Sequence, residues 1–278
     1  SRHVWSLARE RFDAVFDCSL NSQYGFTELA AGIPVRVGFD FKSRGRLLTH
    51  KVALPQGYVE KHAILHYLDL LAPLDIPAAT SPYELFLSED ERRRAREFLA
   101  ERSVSGTTRL IALCPGGGES WGKDAGYRRW PLERWQELAR RLARVPETRI
   151  MVFAGPGEES LADGIANVAP EAILPVSGRS LREFFALLAE ASFAVCNDGG
   201  PLHAAAALGV RTVSMIGPVD ERVYGPFPSD PSRHRVLTAS LPCRPCYTRF
   251  RYPACDRKYA CIHDISLDRM VEAVRSFL

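Results

Sequence analysis

The chain has 278 residues, 46% of them hydrophobic, and a formal net charge of +3. This length and composition indicate a globular chain with one large or two ordinary domains. The small net charge gives no argument for binding nucleic acid. No apolar stretch reaches the roughly 20 residues of a membrane-spanning helix, and no export signal is visible. We therefore expect a cytoplasmic protein with reduced thiols.

The first 82 residues predict a small α/β unit. A helix over 1–11 is followed by strands over 12–17 and around 35–39, with a helix end between them. Apolar residues recur at helical spacing over 62–71, and a proline-rich stretch over 72–82 then breaks the pattern. We place the domain boundary between residues 82 and 83.

Residues 83–278 alternate helices and strands. Strands are predicted over 110–113, 150–154, 193–196 and 212–216. Capping-box patterns begin two helices, at Ser88 with Glu91 and at Ser180 with Glu183. This alternation predicts a parallel, doubly wound sheet whose ligand site lies at the carboxyl ends of the strands. An amphipathic helix over 267–278 either completes this domain or packs back on the first one.

The most informative stretch runs from Val195 to Pro218. It predicts a strand, a tight turn at Gly199 and Gly200, a helix and a second strand. Bare N–H groups at the start of that helix are suited to a phosphate or diphosphate. Asp198 and His203 flank the turn, and we expect both at an exposed helix start. Asp198 can also be the helix N-cap, the glycines can simply serve the turn, and His203 can be a packing residue.

A second glycine-rich loop follows the strand that starts at Leu110. The glycines at 116–118 let the backbone approach a ligand, but the loop lacks the Lys-Ser/Thr of a P-loop, so it does not indicate an ATPase. Trp130, in the continuation of this loop, is expected to pack in the core.

Three separated motifs resemble glycosyltransferase family nine, the heptosyltransferases of lipopolysaccharide synthesis. They are the stretch over 195–218, the loop over 110–118 with its continuation to Pro131, and a cysteine-rich segment over 241–265. The resemblance implies two Rossmann-like domains in the glycosyltransferase B architecture. Residues 1–82 would be an acceptor-side domain, lacking its first strand and helix units, and residues 83–278 the nucleotide-sugar donor domain.

The resemblance also implies which residues contact the donor. In the family an Asp, a following Gly and a His contact the nucleotide sugar, a basic residue lies beside its phosphates, and an acidic residue binds its ribose. Here Arg128, or alternatively Lys123, would lie beside the phosphates. Glu158 or Glu159 would bind the ribose, and Arg179 and Ser180 fall where the family packs a residue against adenine. The donor-binding set is Asp198, Gly199, Gly200, Leu202, His203, Gly116, Gly117, Gly118, Arg128, Lys123 and Glu158.

The implied reaction transfers heptose from ADP-heptose to the lipopolysaccharide inner core, with inversion at the anomeric carbon. Alternatives are another nucleotide-sugar donor, or a non-catalytic nucleotide-binding fragment. The family's base is an Asp in the first loop of the amino-terminal domain, for which this sequence shows no counterpart, so we assign no catalytic base and expect donor binding without transfer. Arginine clusters suggest peripheral contact with the cytoplasmic face of the inner membrane.

The seven cysteines divide into two groups. Cys243, Cys246, Cys255 and Cys261 begin with a C-x₂-C spacing compatible with a structural zinc, although the later spacing is not that of a standard knuckle. Reduced structural thiols are the alternative, and no cofactor is expected for catalysis. Buried positions in strands are expected for Cys18, Cys114 and Cys196.

Overall fold

The computed structural model describes residues 2–104, 106–116, 124 and 127–278. The chain divides into two compact units, Ser1–Ser81 with Tyr247–Tyr252, and Pro82–Cys246 with Pro253–Leu278. The return of a six-residue segment to the first unit is not foreseen by the sequence pattern. Among the described helices, none is long and apolar enough to cross a membrane.

The first unit contains a three-stranded parallel sheet with the order β1-β2-β3. Its elements are α1 (Arg2–Glu10), β1 (Ala14–Asp17), α2 (Ser22–Ala30), β2 (Val35–Asp40), β3 (His50–Ala53) and α3 (Ala63–Leu68), with 3₁₀ turns at Arg44–Leu47 and Asp69–Leu74. Its core consists of Val37, Phe39, Phe41, Leu54 and Leu70. The strand β3 is missed by the sequence pattern because its four residues contain two charged or titratable side chains. Cys18 follows β1 and is exposed, so the prediction that it is buried in a strand is wrong.

The second unit contains a six-stranded parallel sheet with the order β6-β5-β4-β7-β8-β9. Its strands are β4 (Arg109–Cys114), β5 (Thr148–Phe153), β6 (Ile173–Val176), β7 (Phe193–Asn197), β8 (Arg211–Met215) and β9 (His234–Leu237). Its helices are α4 (Glu89–Ala100), α5 (Leu132–Leu142), α6 (Glu159–Ala166), α7 (Leu181–Ala189), α8 (Gly200–Ala207), α9 (Glu221–Tyr224), α10 (Ala260–His263) and α11 (Leu267–Arg275). Both predicted capping boxes form, at the starts of α4 and α7.

The six-stranded sheet is covered on both faces. Alternate residues of β4 point to opposite sides, so that Ile111 and Leu113 pack with α5, α6 and α11, whereas Leu110 and Ala112 pack with α4, α7 and α8. Burial on both faces explains why the central strands β4, β5 and β7 are mainly apolar runs, whereas β8 alternates the buried Thr212 and Ser214 with apolar residues. The final helix α11 buries Met270 and Val274 against this sheet, in place of the return to the first domain considered from the sequence.

The strand order fixes where a ligand can bind. From β4 the chain builds outward through β5 and β6, and it then crosses back to add β7, β8 and β9 on the other side. The order therefore reverses between β4 and β7. In open parallel sheets, a crevice forms beyond the carboxyl ends of the strands at this reversal.

Glu28 of α2 is a buried carboxylate in the first unit. Its side chain is 6% exposed, and its Oε2 accepts no hydrogen bond from any residue that the structure describes. Burial, and secondly the charge of Asp17, raise the pKa of Glu28 to about 7, against the opposing effect of Arg36.

We expect Glu28→Gln to stabilise the protein at pH 8 and to have little effect at pH 5. A raised carboxyl pKa favours the protonated carboxyl in the folded state. The free-energy penalty on folding therefore begins as the pH rises above the pKa of Glu28 in the unfolded chain, and it is largest above about pH 7. Removing the charge should raise the melting temperature at pH 8 by roughly 2–4 °C, which corresponds to ~1 kcal/mol. Scanning calorimetry at both pH values tests this, with the exposed Glu10→Gln as control. An equal shift at pH 5 and pH 8 would contradict it.

Candidate functional site

The loops that follow β4 and β7 meet at the reversal of strand order. Cys114 and Cys196 are opposite each other in the register of these parallel strands. One residue further, the amide nitrogen of Asn197 donates to the carbonyl oxygen of Pro115 (2.5 Å), and its Oδ1 accepts from the backbone N–H of Trp130 (3.3 Å). Asn197 is 2% exposed, so these two hydrogen bonds connect the loops after β4 and β7 from inside the protein.

The helix α8 begins at this edge with open space in front of it. Gly199 is its N-cap residue, Gly200 is its first residue and Pro201 follows, and its first turn contains no acidic side chain. A Cβ added to Gly200 would meet no described atom within 4 Å. Pro201 has no N–H and the N–H of Leu202 donates to the carbonyl of Gly199, so the N–H of the exposed Gly200 and the positive end of the helix dipole are the features of this turn suited to an anion. Because the N-cap is Gly199, the alternative role of Asp198 as helix cap is wrong.

Asp198 forms a buried ion pair with Arg128. Nη1 of Arg128 lies 3.1 Å from Oδ2 of Asp198, and the two side chains are only 4% and 3% exposed. The same Nη1 donates to the backbone carbonyl of Asp198 at 3.5 Å, while Oδ2 accepts no hydrogen bond from the described residues. Burial raises the pKa of Asp198 to about 6, and the charge of Arg128 partly opposes the rise. The expectation that Asp198 lies at an exposed helix start is therefore wrong.

Glu158 follows the end of β5 and approaches the glycine-rich loop after β4. One of its oxygens pairs with Nη2 of Arg129 (2.7 Å) and the other accepts from the N–H of Gly155 (3.2 Å). A Cβ on Gly116 would lie 2.0 Å from Oε2 of Glu158. The missing side chain of Gly116 thus makes room for this carboxylate, a reason that the sequence does not reveal. Glu158 is buried and Glu159 is exposed, so of the two it is Glu158 that lies against the loop.

His203 lies in the first turn of α8 beside a cavity of about 510 Å³. The cavity is also lined by Tyr83, Phe184, Gly200 and Pro201. The rings of Tyr83 and His203 meet edge to face at 6.1 Å between centroids. The imidazole is thus partly packed and still borders open space next to the accessible helix start.

Several other predicted site residues have different placements. The side chain of Leu202 is fully buried and its N–H donates to the carbonyl of Gly199, and its role as a donor contact stays a prediction. Ser180 caps α7, and Arg179 stacks on the ring of Phe98 at 4.5 Å. Trp130 is buried as expected and donates to the carbonyl of Ile265. Gly117, Gly118 and Lys123 lie outside the described residues.

The cysteine-rich segment contains four of the seven cysteines, Cys243, Cys246, Cys255 and Cys261. All seven cysteines are free, and no three or more described Cys, His, Asp or Glu side chains are arranged to hold a metal ion. Burial, and then the nearby Cys246 and Cys255, raise the pKa of Cys261 to about 11, so this thiol is protonated at neutral pH. A bound zinc would itself lower the pKa of coordinating thiols, so the zinc site stays a prediction. Elemental analysis of purified protein tests the zinc prediction directly.

Two positions at this edge of the sheet, Asn197 and Arg129, are not predicted from the sequence. Asn197 lies inside the motif over 195–218, and a buried amide at the end of a strand is the signal that could have identified it as a clamp. Arg129 holds Glu158 in place, and its role depends on a partner 29 positions away. Adjacent arginines at 128 and 129 pair with different carboxylates, which no local pattern indicates.

We expect Gly116→Ala to displace the carboxylate of Glu158 and to destabilise the second unit by about 1–3 kcal/mol, the range for leaving buried polar groups unsatisfied. In a Glu158→Ala background the same change should cost much less, because the obstructing carboxylate is gone. Denaturant unfolding of the two single variants and the double variant measures this coupling. Gly200→Ala is the matched control, since its new methyl group meets open space. Additive costs for the two changes would exclude the proposed contact.

The comparisons with known proteins agree on one family. The profile of glycosyltransferase family 9 (heptosyltransferase) matches residues 1–253. The chain is similar to lipooligosaccharide heptosyltransferase 2 of Haemophilus influenzae (23% identity, covering 84% of this chain and 68% of the relative). It is also similar to lipopolysaccharide heptosyltransferase 2 of Salmonella typhimurium (25% identity, 98% and 77%). The solved structure of Escherichia coli ADP-heptose lipopolysaccharide heptosyltransferase II superimposes with a TM-score of 0.76 at 21% identity, covering 99% of this chain and 78% of that one. The chain belongs to glycosyltransferase family 9, the heptosyltransferase family, and is a transferase of the two-domain Rossmann-like class.

Proposed function

We propose that the protein transfers heptose from ADP-heptose to the inner core of lipopolysaccharide, with inversion at the anomeric carbon. The names of the relatives support a heptose donor and a lipopolysaccharide acceptor. The observation that carries the proposal is the accessible start of α8 beside Oδ2 of Asp198, a buried carboxylate oxygen with no hydrogen-bond donor among the described residues. Both features lie at the reversal of strand order, where a nucleotide-sugar is expected.

The donor fits this arrangement by complementary charge. The diphosphate would accept a hydrogen bond from the N–H of Gly200 at the start of α8, whose dipole stabilises its negative charge. A hydroxyl group of the donor would supply the missing hydrogen bond to Oδ2 of Asp198, and Arg128 would keep that carboxylate ionised. Glu158, at the end of the neighbouring strand, is the acidic group available to the ribose.

The same groups assist departure of ADP. As the acceptor hydroxyl attacks the anomeric carbon, the bond from that carbon to the diphosphate oxygen breaks and its electron pair leaves with ADP. Negative charge then accumulates on the diphosphate, where the helix start is already oriented to stabilise it. The proton of the acceptor hydroxyl must pass to a general base, for which we assign no residue. A glycolipid acceptor would bring the protein to the cytoplasmic face of the inner membrane, which stays a prediction.

Calorimetric titration tests the donor. We expect ADP-heptose and ADP to bind with similar affinity and UDP and UDP-sugars to bind at least about tenfold more weakly, a difference of ~1.4 kcal/mol. Tighter binding of a UDP-sugar would favour the alternative of another nucleotide-sugar donor. No binding of any nucleotide would reject the site.

We expect His203→Ala to weaken ADP binding about tenfold, since a hydrogen bond to a charged group is typically worth about 1.5–3 kcal/mol. The fold should be little affected, because His203 borders a cavity and is not enclosed in the core. Titration of ADP together with a melting curve separates these effects. His50→Ala, a half-buried histidine of the first unit, is the control. Unchanged affinity in His203→Ala would show that the imidazole does not contact the donor.

A further inference from the structure

Tyr83 packs against the histidine of the candidate site. It lies among the first residues of the second unit, ahead of α4. Its ring meets the ring of His203 edge to face, with 6.1 Å between centroids and 87° between the planes, and it lies tilted on Phe227 at 5.8 Å. The three rings come from separate parts of the chain. Tyr83 thus connects the segment before α4 with the first turn of α8.

The segment that carries Tyr83 is itself fixed. The carbonyl of Phe86 accepts from Nη2 of Arg182 at 2.8 Å. The same guanidinium pairs with both carboxylate oxygens of Glu91 in α4, at 2.5 and 2.6 Å. The side chain of Leu87 packs against the core of the second unit. The position of Tyr83 therefore follows from backbone, ionic and apolar contacts within one unit, so its ring can act as a fixed wall.

The helix α8 places the Cβ of His203 but does not by itself fix the imidazole. The χ2 torsion of histidine is broad, so the ring can turn about its bond to Cβ. Nδ1 is buried, and Nε2 is therefore the ring nitrogen through which a ligand could be contacted. A turn of the ring would move Nε2 away from the cavity that also borders Gly200. A neighbouring group must hold the ring if it is to meet a ligand in one orientation.

The contact with Tyr83 has the geometry that holds a ring. Aromatic pairs prefer an edge-to-face arrangement with centroids 4.5–7 Å apart, and turning the imidazole within this contact would lose that arrangement. Tyr83 is half-buried and borders the same cavity of about 510 Å³ as His203. The contact involves the aromatic ring of Tyr83, and its hydroxyl group is not required for it.

We infer that Tyr83 is a positioning residue, whose ring keeps Nε2 of His203 directed toward the start of α8 for contact with the diphosphate of the donor. This inference rests on the proposed function, because it assigns that contact to His203. It adds that donor affinity depends on a residue ahead of α4, which itself need not touch the donor.

The first test separates the ring of Tyr83 from its hydroxyl group. We expect Tyr83→Leu to weaken ADP binding about threefold, within the range for loss of one aromatic pair and less than the loss in His203→Ala, because the imidazole remains. Tyr83→Phe keeps the ring and should bind ADP as the unchanged protein does. Tyr24→Leu makes the same change at an exposed tyrosine of the first unit and is the control. Calorimetric titration of ADP measures all three.

The second test asks whether Tyr83 acts through His203. In a His203→Ala background, Tyr83→Leu should cause no further loss of ADP affinity, because no imidazole remains to be oriented. Phe227→Leu, which removes the ring on the other contact of Tyr83, should give a smaller loss than Tyr83→Leu. It also provides a variant in which the segment before α4 is unchanged. Melting curves confirm that each variant is folded.

The third test needs no ligand. The Cε1–H resonance of His203 is the one of seven histidine signals that is missing from the His203→Ala spectrum. In the free protein it should shift in Tyr83→Leu and stay nearly unchanged in Tyr83→Phe and Tyr24→Leu, because only the first variant removes the neighbouring ring. If no protein binds ADP, the proposed function fails, and this resonance still decides whether Tyr83 holds the imidazole.

Four outcomes would overturn the inference. The first is unchanged ADP affinity in Tyr83→Leu while His203→Ala binds more weakly. The second is an equal loss from Tyr83→Leu with and without His203, which would indicate direct contact of Tyr83 with the nucleotide. The third is that Tyr83→Phe binds as weakly as Tyr83→Leu, which would assign the effect to the hydroxyl group. The fourth is an unmoved His203 resonance in Tyr83→Leu.

Discussion

The buried ion pair between Arg128 and Asp198 is the interaction on which the candidate site of the second unit depends. Removing both charges from water is costly, and the pair is tolerated because each partner compensates the other. Loss of one partner from such a pair typically costs about 3–5 kcal/mol, since the other remains buried without a counter-charge. The pair joins the end of β7 to the segment before α5, so the carboxylate is held in position before a ligand arrives. Under the proposed function, stability and donor binding both depend on these two side chains.

Two further buried contacts complete this arrangement. Asn197 joins the loop after β4 to the loop after β7 and to the backbone of Trp130. Glu158 occupies the space left by the absent side chain of Gly116 and is held by Arg129. Three neighbouring strand ends thus carry polar side chains whose orientation is fixed from inside the protein. Preorganisation of this kind reduces the cost of ordering the site when a donor binds.

Much of the second unit can be predicted from sequence, because its signals are local. Apolar runs identify the central strands, and Ser88 with Glu91 and Ser180 with Glu183 identify two helix starts that the structure confirms. The short edge strands β3, β6 and β9 are not predicted, because a strand of four residues is too short to show a clear hydrophobic pattern. At the candidate site, the sequence predicts the segment over 195–218 and its order of strand, turn and helix. It does not predict which side chains pair with one another there. The pairing of Arg128 with Asp198 spans 70 positions, and it makes Asp198 a buried residue where the sequence indicates an exposed helix start.

The returning segment Tyr247–Tyr252 makes the chain cross between the two units three times. Cutting the polypeptide at the linker near residue 82 would therefore not yield two self-sufficient fragments. A fragment that starts there would carry the ring of Phe250 without Phe41 and Tyr58, the side chains that cover it. The other fragment would lose part of its own aromatic core. The two halves of such a cleaved protein would be expected to stay associated without a covalent connection, as complementing fragments of one fold.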